Sequence, residues 1–215
     1  FQWEPHVPNK KESEDSLFSD ELNHVFVVAD GVTRSENEKG DYPYPSPARQ
    51  ASERAAKAIG ESLSRQERLD ENDIHKAFAN GNYAVKQLNE ELGLWTDHDY
   101  LTRDFAGTVA SAAVEQDGNI LYGYIGDCGV AHISDQGELF WHTNDDVSVA
   151  RSDFPKSEEV KGNDRVVRVR KDFRNNPSVK HKTYGVLTGE DTAIEYIKTG
   201  MRSYSPGDVL IIYSD

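Results

Sequence analysis

The chain has 215 residues and a formal net charge of −14, from 38 acidic against 24 basic side chains. That length buries one sizeable core, so a single domain over residues 1–215 is expected, and a surface of that sign argues against nucleic acid or membrane as a partner. The lone cysteine, Cys128, excludes an internal disulfide and favours a cytoplasmic setting. No apolar run approaches the roughly 20 residues that span a bilayer.

No basic segment followed by an apolar one opens the chain, and Phe1 is not an initiator, so further residues are expected before it. Residues 1–23 are polar, with "NKKESEDSLF" leading into the apolar run 24–30 that ends at Asp30 and Gly31. This run alternates poorly, as a strand buried on both faces does. The stretch "TRSENEKGDYPYPSPAR" reads as a loop ending at a helix start, with Ser46 as N-cap and Pro47 in the first turn.

From Ala48 to about Gln66, Ala51, Ala55, Ile59 and Leu63 recur at helical spacing. A second helix is expected from about Asp73 to Leu92, closed by Gly93. After Asp104 the pattern turns to strands: "AGTVASAAVEQ", a turn at Asp117 and Gly118, "NILYGYIGD", "GVAHIS", a turn at Asp135 to Gly137, and "ELFWHT". This is read as an antiparallel meander.

Residues 144–190 are less regular and read as a flap region. Within it "RVVRVRKDFR" carries five Lys or Arg in ten residues and reads as a solvent-facing strand. The pair Asp145 and Asp146 reads as solvated loop. "SPGDVLIIYSD" gives a turn and a buried strand, Val209 to Tyr213. A core strand needs a neighbour and an exit, so the native domain is expected to continue past Asp215.

Acidic residues therefore stand at strand ends: Glu14 and Asp15, then Asp30, Asp127 and Asp215. Strand tips at the same end of a sandwich converge, and clustered carboxylates repel unless a cation neutralises them. An oxygen-only donor set suits Mg²⁺ or Mn²⁺ rather than structural zinc. In two-metal sites the ions stand roughly 3.5 to 4 Å apart and promote displacement at phosphorus, so phosphate ester hydrolysis is the natural chemistry. Taken singly, an Asp-Gly pair is ordinarily a turn and a Glu-Asp pair ordinarily solvated surface.

Taken together, "SEDSLF", "FVVADGV", "DFAGTVASAAV", "LYGYIGDCGVAHI" and "SPGDVLIIYSD" resemble, in order and spacing, the motifs of the metal-dependent protein phosphatases of type 2C, in a bacterial-like form. The resemblance implies an α+β fold, a four-layer αββα sandwich of two antiparallel sheets flanked by helices. It implies a serine/threonine phosphoprotein phosphatase in which a hydroxide bridging two divalent ions attacks the phosphate monoester. By the same carry-over Glu14, Asp30 and the Gly31 carbonyl hold one metal, and Asp30 with Asp215 the second. Asp15 bonds the attacking water, and Asp104 stands at the position of a third, more weakly held ion. Asp127 is structural in that family, and Cys128, with no activating neighbour in sequence, reads as a buried thiol.

Departures are visible too. Lys10 stands where many members grip the substrate phosphate with an arginine, keeping the charge but not the bidentate fork. Val32 replaces the histidine that eukaryotic members place after the Asp-Gly pair, so the general acid is unassigned. These departures leave a catalytically silent, phosphatase-like binding module as the alternative. Glu190 in "VLTGED" reads as structural, and the seven histidines show neither metal-ligand spacing nor a triad.

Overall fold

The computed structural model describes residues 13–32, 46–156 and 159–214. Eight strands form: β1 (Asp15–Asp20), β2 (Val25–Gly31), β3 (Thr108–Gln116), β4 (Asn119–Ile125), β5 (Gly129–Ile133), β6 (Leu139–Trp141), β7 (Lys198–Ser203) and β8 (Val209–Tyr213). The α-helices are α1 (Pro47–Ser64), α2 (Glu71–Glu91), α3 (Asp146–Arg151) and α4 (Gly162–Asp172), and a 3-10 helix covers Asp191–Tyr196. The strands make two antiparallel sheets, one in the order β1-β2-β3-β4-β7 and one in the order β6-β5-β8. Helices α1 and α2 pack on the larger sheet, and β5 and β8 contact β2 and β3 from the smaller one. The expected architecture of two antiparallel sheets with flanking helices is what the chain adopts.

Both long helices start where short polar side chains meet orphan amides. The Ser46 hydroxyl accepts from the Arg49 amide at 3.3 Å, ahead of Pro47 in the first turn. At α2, Asp70 and Asp73 form a reciprocal capping box, with bonds of 2.9 and 3.2 Å, and Gly93 follows the helix at φ 67°. Their inward residues, including Ile59, Leu63, Ile74 and Phe78, close on Val25, Val27 and Ala29 of β2. The central strand β3 is rich in alanine, and both of its faces are buried.

Between β3 and β4, Asp117 and Gly118 lie at φ 52° and 71°, as a two-residue hairpin turn requires. The expected meander does not continue beyond it. At Gly126 (φ 83°) the chain leaves the larger sheet, and β5 and β6 pair in the smaller one. A Cβ at Gly126 would overlap the Val109 side chain, so the crossing requires glycine in both conformation and space.

The basic run "RVVRVRKDFR" is not a strand: it forms α4 and the residues that end it. Its charges suit a helix, since Arg168 reaches Asp172 at 3.5 Å four positions on. Val166 and Val169, three apart, line one side of a cleft with Phe154 and Tyr184. Two of its arginines turn inward. Arg174, with a 2% exposed side chain, grips Asp104 through two bonds of 2.8 and 2.7 Å, and Arg170 stands 3.2 Å from the same carboxylate. This ties the flap to the segment before β3.

Two predictions concern this frame. A Cβ at Gly60 of α1 would overlap the Phe18 ring. Gly60→Ala should therefore cost about 1–3 kcal/mol of stability despite the better helix former, and in urea denaturation Phe18→Ala should relieve it, giving a double-mutant coupling energy. At Asp104, burial pushes the carboxyl up, but the charge and hydrogen bonds of Arg174, with Arg170, outweigh it and hold the group below the usual carboxylate range. Its stabilisation is then complete above pH about 4 and lost as pH falls through the depressed native value. Asp104→Asn should lower neutral-pH stability by about 3–5 kcal/mol and flatten the acid limb of the stability curve.

Candidate metal centre

A short turn over residues 21–24 sets the register of β1 on β2, and it places Asp15 directly opposite Asp30. The Gly31 amide donates to the Glu14 carbonyl at 3.1 Å, which makes Glu14 and Gly31 a hydrogen-bonded pair and the next pair, Asp15 and Asp30, a non-hydrogen-bonded one. Side chains are closest in pairs of that kind, roughly 4.5–5.5 Å between Cβ atoms. Two like charges held so destabilise the sheet unless a cation joins them, and carboxylate oxygens fit a hard divalent ion. On this test the residues present suit Mg²⁺ or Mn²⁺. Among the described residues no three His, Cys, Asp or Glu side chains are grouped as a metal cage by themselves.

Alternation sends Glu14 to the other face, toward α1. Ser16 meets Ser52 there at 2.9 Å, and the Glu14 carboxylate accepts a short hydrogen bond from the Ser46 hydroxyl. Ser52 donates to the Glu14 carbonyl, and Arg49 donates to the Ser13 carbonyl at 3.1 Å. The first two turns of α1 thus hold the acidic motif by its backbone and its carboxylate together. The Ser13 hydroxyl lies 3.1 Å from Asp15 Oδ2 and also receives the Asp15 amide at 3.2 Å, which orients that carboxylate. Across the sheet the Thr108 hydroxyl donates to the Asp30 carbonyl at 2.6 Å.

A glycine at 31 leaves its carbonyl without a side chain in front of it. The structure adds a nearer cause: a Cβ there would stand 2.5 Å from the Ala48 carbonyl oxygen and 3.0 Å from Glu14 Cβ. Glycine lets the start of α1 close over the end of β2.

The other candidates are dispersed. Lys10 and Asp215 lie outside the described residues. Asp104 is 1% exposed, and Arg174 and Arg170 engage its oxygens. Val32 packs against Val109, Cys128 and Val186, and Cys128 is a buried thiol outside any disulfide. Asp127 lies at the crossing between the sheets, after Gly126. Asp145 and Asp146 are not merely solvated: Asp145 caps α3 through the Ser148 amide at 2.6 Å, and Asp146 pairs with Lys198 at 2.6 Å. Glu190 accepts from Asn175 at 2.9 Å and Thr188 at 2.8 Å, bracing the loop after α4.

One pairing escaped the sequence. His132 Nδ1 and His142 Nε2 lie 2.6 Å apart across the β5–β6 hairpin, with Asp208 4.0 Å from the far nitrogen of His132. Burial first, and then the His132 ring, depress the pKa of His142. The alternation His-Ile-Ser to Phe-Trp-His around the turn at residues 135–137 held the signal, because the register opposes His132 to Phe140 and leaves His142 as its diagonal neighbour on the same face.

The profile of the family described as protein phosphatase 2C matches residues 4–158. A search of curated proteins returned no match. Among solved structures, the catalytic domain of the serine/threonine phosphatase PstP in complex with two manganese ions is 18% identical, with 97% of this chain and 73% of that one covered, at a TM-score of 0.62. A second structure of PstP, from Mycobacterium tuberculosis, is 18% identical over 97% and 74% of the two chains, with a TM-score of 0.57. The S. agalactiae serine/threonine phosphatase is 17% identical over 95% and 74%, with a TM-score of 0.58. These likenesses show a shared fold, and the match over most of the chain's length shows the family: this chain belongs to the protein phosphatase 2C family.

Proposed function

We propose that the chain is a serine/threonine phosphoprotein phosphatase that depends on Mg²⁺ or Mn²⁺. The observation that carries this is the cross-strand opposition of Asp15 and Asp30 beside Glu14 and Gly31. Asp30 and the Gly31 carbonyl would hold one ion, and Asp30 with Asp215 the other, while Glu14, turned to the α1 face and bonded by Ser46, would brace the strand end. Bound there, the ions would supply Lewis acidity toward the phosphoryl oxygens and acidify water at neutral pH. The two manganese ions of PstP support a dinuclear centre in a related fold.

The chain's own residues have distinct tasks in this proposal. Asp15, oriented by Ser13, accepts a proton from the attacking water and keeps it aligned. Lys10 adds positive charge for the substrate phosphate as a point charge rather than a fork. With Asp104 engaged by two arginines, two ions rather than three are proposed. The leaving group is protonated by solvent or by a side chain other than Val32, which is apolar and packed. A cytoplasmic location is proposed from the single buried thiol, and no helix among the described residues is long and apolar enough to cross a membrane.

Purified full chain should hydrolyse an aryl phosphate with Mn²⁺ or Mg²⁺ and stop when the ions are chelated. Asp30→Asn should lower kcat/KM by at least about 10²-fold, or roughly 2.7 kcal/mol of transition-state stabilisation. Undiminished hydrolysis in a chelator would rule the proposal out.

A further inference from the structure

The acidic motif also borders a groove that the chemistry above does not use. It encloses about 400 Å³, with the backbone of β1 from Asp15 to Phe18 as its floor and Arg49, Glu53 and Lys57 as one wall. Those three wall residues lie four apart on α1 and so form a single stripe beside the strand. The floor is the outer strand of the larger sheet, and among the described residues no strand pairs with its far edge. Because Glu14 and Gly31 form a hydrogen-bonded pair, Ser16 and Phe18 bond to β2, while Leu17 and Ser19 turn their N–H and C=O groups away from the sheet. An outer strand of this kind is a template for another extended chain.

We infer that this groove seats the phosphoprotein segment next to the phosphorylated residue, as an added strand on β1. The inference rests on the proposed phosphatase activity and names how its substrate is held. Continuity carries it: Asp15 belongs both to the acidic motif and to the groove floor, so a chain leaving the phosphate meets the open edge at once. Main-chain bonds to Leu17 and Ser19 give affinity without reading side chains, which suits an enzyme that accepts varied proteins.

The wall adds a charge preference. Arg49 is bonded to Glu53 at 2.8 Å, whereas Lys57 lies farther along, with a 72% exposed side chain 3.8 Å from Glu61. Lys57 lines the groove near Phe18, three residues beyond Asp15, or about 10 Å at the rise of a strand. An acidic side chain about three residues from the phosphorylated position therefore meets Lys57, on a molecule whose net charge of −14 otherwise repels acidic peptides.

The test uses the full chain with Mn²⁺ and three kinds of substrate: an aryl phosphate, phosphothreonine peptides with Glu or Lys about three residues to either side, and the same peptides N-methylated at alternate amides. N-methylation should raise the peptide KM about tenfold with kcat little changed, since it removes strand bonds but not the phosphate. Lys57→Glu should reverse the preference from the Glu to the Lys peptide by about tenfold, with aryl phosphate turnover unaltered. Peptide KM indifferent to both changes while the aryl phosphate is still hydrolysed overturns the groove alone. That outcome includes the edge being taken by the chain's own residues before Ser13. No Mn²⁺-dependent hydrolysis of any substrate overturns the phosphatase proposal and the groove with it.

Discussion

Everything at the acidic end of the molecule depends on one register held in place: two acidic residues set opposite each other across a pair of strands. One residue of slip in the β1–β2 pair would separate Asp15 from Asp30. It would also turn every apolar side chain of β2 to the wrong face. The core therefore enforces the register. Val25, Val27 and Ala29 are locked against α1 and α2, and the turn over residues 21–24 transmits that lock to β1. Helix α1 completes it through Ser46, Arg49 and Ser52, and Gly31 lets its first turn close over the strand end. Folding free energy is thus stored as a preorganised anionic site, which is what a cation-dependent enzyme needs before its ions arrive.

A second pole of charge balances the first differently. Asp104 is as acidic as Asp30, but it is buried and answered by guanidinium groups from the flap. Carboxylates on one scaffold thereby take separate places, one set paired across strands in the proposed metal centre and one neutralised by residues of the chain itself. Arg174 is charged at any pH the protein meets, so this second neutralisation does not depend on ion concentration. The flap is fastened by a bond that metal depletion leaves intact.

Much of this was legible in the sequence because local chemistry and packing agreed. Ser46 and Pro47, the helical spacing of Ala51, Ala55, Ile59 and Leu63, and the turn at Asp117 and Gly118 each stated an element that the chain forms. The run around α4 misled because arginines and valines alternate in a way that fits a strand, while the pairing that decides for a helix lies four residues away and the inward partner, Asp104, about seventy. Strand β7, "KTGMRS", carries no apolar period, being an outer strand with four exposed residues. The change of sheet at Gly126 was hidden because continuing a meander and crossing a sandwich need the same glycine. Of the site, the residue types were readable and their opposition was not, since register is a property of two strands and a turn together.

The crossing at Gly126 has a bearing on how the family's two sheets can diverge. The paired carboxylates belong to the larger sheet, whereas β8 belongs to the smaller, and where the chain leaves the larger sheet Gly126 stands against Val109, the residue paired with Asp30 on β3. A single methyl group at that contact would press on the β3 residue that faces Asp30. Sequence drift at a residue that touches no substrate would then retune the spacing of the acidic end, so activity in such a fold is inherited through its interior as much as through its acids.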